Sequence, residues 1–128
     1  MSIDLAIKFF SLDVRSDGRG ELLALQRGSP FLFEQKRVFV LRNIKVGAQR
    51  ACHAVSCDEC IVLLAGSCTM EVRSKSEQRI YDLTELDTAV NVPAGFWMRI
   101  FDFSEGFMAM VICSERYEDT TYFEEPQL

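Results

Sequence analysis

Residues 37–42 read Arg37-Val38-Phe39-Val40-Leu41-Arg42, an alternation in which every second side chain points the same way. That period of two is the mark of a half-buried strand. Similar short apolar runs flank it along the whole chain: Leu5–Phe10, Glu21–Leu25, Cys60–Leu64, Thr69–Arg73, Arg79–Leu83, Thr88–Val92, Phe96–Phe101 and Phe107–Cys113, with the central strand extending over Arg37–Asn43. They are rich in Val, Ile, Phe and Leu, as pleated surfaces favour. Turn residues separate them at Asp17-Gly18-Arg19-Gly20, Gly28-Ser29-Pro30, Val46-Gly47, Ala65-Gly66-Ser67, Val92-Pro93-Ala94-Gly95 and Glu105-Gly106. No stretch sustains a helical period; Glu115–Asp119 predicts at most one helical turn. Many short strands at regular spacing predict an all-β sandwich or barrel, whose closure removes exposed edges.

Composition bounds what such a chain can be. Its 128 residues suffice for one domain spanning 1–128, and 48% of them are apolar, ten being Phe. That much apolar surface offsets chain entropy, so disorder is not expected. No apolar run reaches the roughly 18–20 residues needed to span a bilayer. The start, MSIDLAIKFFSLD, reads as a first strand rather than a signal peptide, and a cytoplasmic protein is predicted. The five cysteines are odd in number and predict reduced thiols. A net charge of −5 argues against a nucleic-acid partner, while leaving room for a small phosphorylated ligand held by a few arginines. Glu124–Leu128 reads as a loose tail.

Four groups of residues could carry chemistry. His53, the only histidine, stands in Arg50-Ala51-Cys52-His53-Ala54-Val55; it suits a proton shuttle, or a histidine satisfied by structural hydrogen bonds. Cys52, His53, Cys57 and Cys60 place four possible metal ligands in nine residues. Zinc sites usually use two separated pairs, so no metal and no cofactor is expected. Arg19, Arg37 and Arg50 could grip phosphate or carboxylate bidentately, or simply pair with surface acids. Trp97 could form a stacking wall or fill the barrel.

Taken in order, these pieces resemble one family. Asp17-Gly18-Arg19-Gly20-Glu21-Leu22, Pro30-Phe31 with Lys36-Arg37-Val38-Phe39, Arg50-Ala51-Cys52-His53-Ala54-Val55 and Leu64-Ala65-Gly66-Ser67-Cys68 are similar to motifs of the dTDP-4-keto-6-deoxyhexose 3,4-ketoisomerases, the FdtA/WxcM-like cupins. So are Val92-Pro93-Ala94-Gly95-Phe96-Trp97, Asp102-Phe103-Ser104 and Ser114–Tyr122. The resemblance implies a cupin-type barrel, a double-stranded β-helix or jelly roll with little helix. It implies a sugar-nucleotide isomerase that moves protons between C3 and C4 through an enediol, without metal. It also implies a homodimer with exchanged strands. Carried over by position, His53 becomes a proton-transfer residue, and Arg19, Arg37, Arg50 and Trp97 lie in or near a dTDP-sugar pocket.

Departures from the motifs bear on catalysis. Val55 stands where the family has a second histidine, Met98 where it often has His, and Phe39 where it often has Tyr. Ala51, Ser56, Cys60 and Thr121 depart as well. On a barrel strand, residues 53 and 55 share a face, so the absent imidazole would have faced the same cavity. Two readings follow: an isomerase in which another base or a water replaces the second histidine, or a non-catalytic cupin that binds a nucleotide sugar or other small molecule. A structural or assembly subunit is the third.

Overall fold

In the computed structural model, which describes residues 2–27, 30–31 and 33–128, the alternating run at 37–42 is the edge strand of a five-stranded sheet. A helical turn, α1 (Ile3–Ala6), opens the chain. Then come strands β1 (Lys8–Ser11), β2 (Val14–Asp17), β3 (Gly20–Leu23), β4 (Gln26–Arg27), β5 (Pro30–Phe31), β6 (Arg37–Arg42) and β7 (Arg50–Val55). The second half supplies β8 (Glu59–Ala65), β9 (Cys68–Arg73), β10 (Gln78–Leu83), β11 (Thr88–Val92), β12 (Trp97–Phe101), β13 (Met108–Cys113), a 3₁₀ turn at Tyr117–Asp119 and β14 (Tyr122–Phe123). Two antiparallel sheets face each other: β1-β11-β8-β13-β6 and β10-β9-β12-β7-β14. This is the jelly-roll barrel of the cupin type. The helical turn near Tyr117 falls where the sequence allows one.

Register lines up the inward side chains in rows. Val111 sits opposite Phe39 on one side and Ile61 on the other, and Ala109 likewise joins Leu41 and Leu63. These face Met70, Val72, Met98 and Ile100 of the second sheet to form the main core. The first sheet is covered on its outer face too: Cys60, Val62, Ala89 and Ile112 are buried beneath Leu12, Leu23, Leu25 and Phe33. Burial on both faces explains why 60–64 reads as a continuous apolar run rather than an alternation.

Three sequence expectations are corrected. The predicted first strand, Leu5–Phe10, begins only at Lys8; Ile3–Ala6 is helical because Ile3 and Ile7, four apart, both reach the core. Residues 50–55 form a strand although their mixed polarity hid it. The tail 124–128 is tied down: the Gln127 N–H donates to the Gly95 carbonyl (2.8 Å) and the Lys75 N–H to that of Leu128 (2.6 Å). Gly28 and Ser29 of one expected turn lie outside the described residues. Among the described residues, no helix is long and apolar enough to cross a membrane.

The turn between β8 and β9 depends on a missing side chain. Gly66 has φ +70°, and a Cβ there would lie 2.5 Å from Ser104 Oγ and 2.8 Å from Phe107 Cα. Left-handed backbone and overpacking both penalise a larger residue. Gly66→Ala is expected to lower stability by about 2 kcal/mol, read from the midpoint of urea unfolding.

Candidate active site

One row of the first sheet ends in polar groups. Cys113 pairs in register with Arg37 on one side and Glu59 on the other, so these three stand side by side, one step beyond the apolar row Phe39, Val111 and Ile61. Opposite them, β7 carries Arg50 and His53. The space between is a cavity of about 330 Å³. Arg37, Arg50, His53 and Glu59 line it, with Met98 and Ile100 on the far wall and Tyr117 and Tyr122 at the chain's return.

A bulge aims His53. Met98 pairs with His53 and Arg99 with Ala51, so Cys52 is the extra residue, and both Ala51 (φ +68°) and Cys52 (φ +63°) adopt left-handed backbone. The inserted residue turns outward, and Arg50, Ala51 and His53 all reach the cavity. The imidazole meets the edge of Tyr122 in a T-shaped contact, centroids 4.8 Å apart. Partial burial pulls the His53 pKa below its ordinary 6.5, outweighing the backbone contact with Ala51. At neutral pH the ring is therefore uncharged and able to accept a proton.

The opposite wall behaves differently. Burial opposes the charge of Arg37, yet contacts with Cys113 and the Tyr122 hydroxyl more than compensate, and the guanidinium stays protonated. Its Nη2 lies 3.4 Å from Cys113 Sγ, which in turn lies 3.7 Å from Glu59 Oε2. Burial, reinforced by the Cys113 sulfur, pushes the Glu59 carboxyl up to about 8. The neighbouring Cys57 thiol and Arg37 draw Cys113 down, while the same thiol contact and burial push Cys57 up.

Of the five residues singled out in the sequence, the fold brings three together: His53, Arg37 and Arg50. Arg19 sits at the tip of the β2–β3 hairpin, 92% exposed and paired with Asp17 at 2.8 Å. Trp97 precedes inward-facing Met98 and so points outward, its ring 4.4 Å from the Arg73 guanidinium. Val55 is buried in the main core and does not line the cavity. Cys57 lies in the inner core, Cys60 in the outer one and Cys52 in solvent, so the CxxC does not converge. Among the described residues, no three His, Cys, Asp or Glu side chains gather as a metal set. Glu59 is a cavity residue that the sequence does not mark, because the run after it is apolar on both faces and shows no alternation.

Comparison with known proteins adds the following. The family described as FdtA, WxcM-like, C-terminal matches residues 5–127. The TDP-4-oxo-6-deoxy-alpha-D-glucose-3,4-oxoisomerase of Aneurinibacillus thermoaerophilus is 30% identical over 112 residues, covering 85% of this chain and 79% of the relative. Two solved structures share the fold. A mutant of the 3,4-ketoisomerase QdtA from Thermoanaerobacterium thermosaccharolyticum, in complex with TDP-4-keto-6-deoxyglucose, superposes with a TM-score of 0.85 at 21% identity, covering 94% of this chain and 88% of that one. The WlaRB TDP-quinovose 3,4-ketoisomerase of Campylobacter jejuni gives 0.85 at 24% identity, covering 93% and 92%.

Proposed function

The chain belongs to the FdtA family of WxcM-like C-terminal proteins, and from that premise we propose that it isomerises a dTDP-4-keto-6-deoxyhexose to its 3-keto form. The observation that carries this reading is the imidazole of His53 held inside a cavity flanked by two guanidinium groups, Arg37 and Arg50. A diphosphate needs fixed positive charge, and a ketose isomerisation needs a base that can take a proton from carbon and return it. Both are present.

His53 removes the proton from C3. The electron pair left behind forms the C3–C4 double bond of an enediol as the C4 carbonyl oxygen gains a proton. Reprotonation at C4, with loss of the O3 proton, gives the 3-keto product. Substrate and product are isomers, so no redox equivalents enter or leave. The apolar floor formed by Phe39, Ile61 and Val111 keeps water from the enediol.

Arg37 and Arg50 are placed to hold the phosphates. The protein is read as a homodimer with exchanged strands, a reading supported by Val38 and Val40, which leave apolar surface exposed on edge strand β6. Trp97 is assigned no part in this cavity. Mixing the protein with dTDP-4-keto-6-deoxyglucose and following ¹H NMR tests the function: appearance of the 3-keto sugar is expected. Substrate unchanged after prolonged incubation would overturn the reading.

A further inference from the structure

The proposed isomerisation moves four protons. C3–H and O3–H must be lost, while O4 and C4 must each gain one. His53, which has one basic ring nitrogen at a time, is occupied by the carbon-to-carbon transfer. The oxygen-to-oxygen transfer calls for a second group that begins protonated, gives its proton to O4 and then takes one from O3.

Resting on the isomerase reading above, we propose that Glu59 is this second proton carrier, its carboxyl group facing His53 across the cavity and serving the two oxygens while His53 serves the two carbons. In the first step His53 takes the C3 proton, the C3–H electron pair becomes the C3–C4 double bond, and the Glu59 carboxyl gives its proton to O4. In the second, the Glu59 carboxylate takes the O3 proton, the O3–H electron pair forms the C3 carbonyl, and the His53 imidazolium protonates C4. Both residues end as they began.

The two buried glutamates differ in their partners. Glu71, fully buried, is held by Arg73, Arg99 and Gln78. Glu59, 7% exposed, has only the Cys113 sulfur as a hydrogen-bond partner among the described residues. The nearest cation, Arg37, spends its Nη2 on that same sulfur. A carboxyl group left this poorly partnered is costly as a purely structural element and suited to exchange a proton. Burial and the Cys113 sulfur favour its neutral form, and Arg37, one strand further away, opposes them without prevailing; His53, Arg50, Tyr117 and Tyr122 line the same cavity. Asp58, next in sequence, turns away to accept the Ala94 N–H at 2.8 Å. Environments that push His53 down and Glu59 up leave a neutral base opposite a neutral acid at neutral pH.

The sign of the pH dependence follows. Glu59 is proton-bearing below about 8, so kcat falls as pH rises through that region, and it falls on the acid side as His53 becomes charged. Burial of the neutral form also means that folding loses stability as pH rises from 4.5 toward 8, which a permanently neutral amide avoids. Glu59→Gln is therefore expected to fold at least as well as the parent at pH 8.

The experiment compares wild type and Glu59→Gln across pH 5–10 with dTDP-4-keto-6-deoxyglucose. Expected is a fall in kcat of about 10²-fold, with KM within threefold and the alkaline limb abolished. A variant with kcat within threefold of wild type, or one that keeps the alkaline limb, overturns the proposal while leaving the isomerase reading intact. An inactive wild type overturns both. Should Glu59→Gln fail to fold, ¹³C-carboxyl NMR of glutamate-labelled wild type decides. A carboxyl titrating together with the alkaline limb supports the proposal, and no such coincidence overturns it.

Discussion

Replacing His53 by Asn is expected to lower the rate of isomerisation by about 10²–10⁴-fold while leaving the fold intact. Asparagine matches the polar reach of the imidazole and can hydrogen-bond locally, but it cannot accept and return a proton from carbon. The structural cost is small: the ring is half-buried and its recorded aromatic contact is a single edge meeting with Tyr122. Arg37 and Arg50 remain in place, so binding of a TDP-sugar is expected to change little and the loss to fall on kcat. Deuterium wash-in at C3 and C4, followed by NMR, separates chemistry from binding. Wild-type exchange in the His53→Asn protein would remove His53 from the carbon-proton step. The wild-type rate should also drop below the depressed pKa of His53, where the imidazolium cannot accept the C3 proton.

Much of the barrel could be read from residues alone, and the reasons some of it could not are physical. Arg37–Arg42 alternates because one face of β6 packs inward and the other lies open, with Val38 and Val40 exposed. Strand β7 is absent from the apolar runs, and only the family resemblance puts 53 and 55 on a strand, because it carries Arg, Cys and His and its period of two breaks at the Cys52 bulge. The bulge is also what lets Arg50 and His53 line one wall. Val55 was expected to mark a gap beside His53; instead it is buried in the main core. Trp97 and Met98 are neighbours with opposite facing, and nothing local to the sequence says which points inward. That is fixed by register against His53 on one side and Val72 on the other. Glu59 was hidden inside a CxxC that drew the eye toward metal, and only the pairing of β8 with β13 shows it beside Arg37 and Cys113.

The largest stability effect is expected away from the cavity, at Glu71. Met70 and Val72 face inward, so Glu71 points to the outer face of the second sheet, where it is nonetheless fully buried. Arg73 Nε lies 2.5 Å from Oε2, and Arg99 reaches Oε1 with Nη2 at 2.8 Å and Nε at 2.9 Å. Each arginine also covers an aromatic ring, Arg73 over Trp97 at 4.4 Å and Arg99 over Phe101 at 3.9 Å. Burial alone would raise the Glu71 pKa, but the two guanidiniums overcome it and hold the carboxyl below its ordinary 4.5. Glu71→Ala removes the shared counter-charge and leaves two packed cations facing each other across adjacent strands. Breaking a buried pair costs about 3–5 kcal/mol, and since Arg73 and Arg99 are 46% and 25% exposed and regain some water, about 3 kcal/mol is expected here. Glu71→Gln, which removes the charge and leaves one acceptor oxygen where the carboxylate has two, should lose somewhat less. A carboxyl depressed in the folded state contributes stability above the unfolded value near 4.5 and loses it as pH falls through the folded one. The gap between wild type and Glu71→Gln should therefore close in acid. Trp97 is the only tryptophan, so its emission reports both the unfolding midpoint and the release of Arg73 from the ring. A loss below 1 kcal/mol for Glu71→Ala, with unchanged Trp97 emission, would show that the two arginines and their rings hold the outer face of the sheet without it.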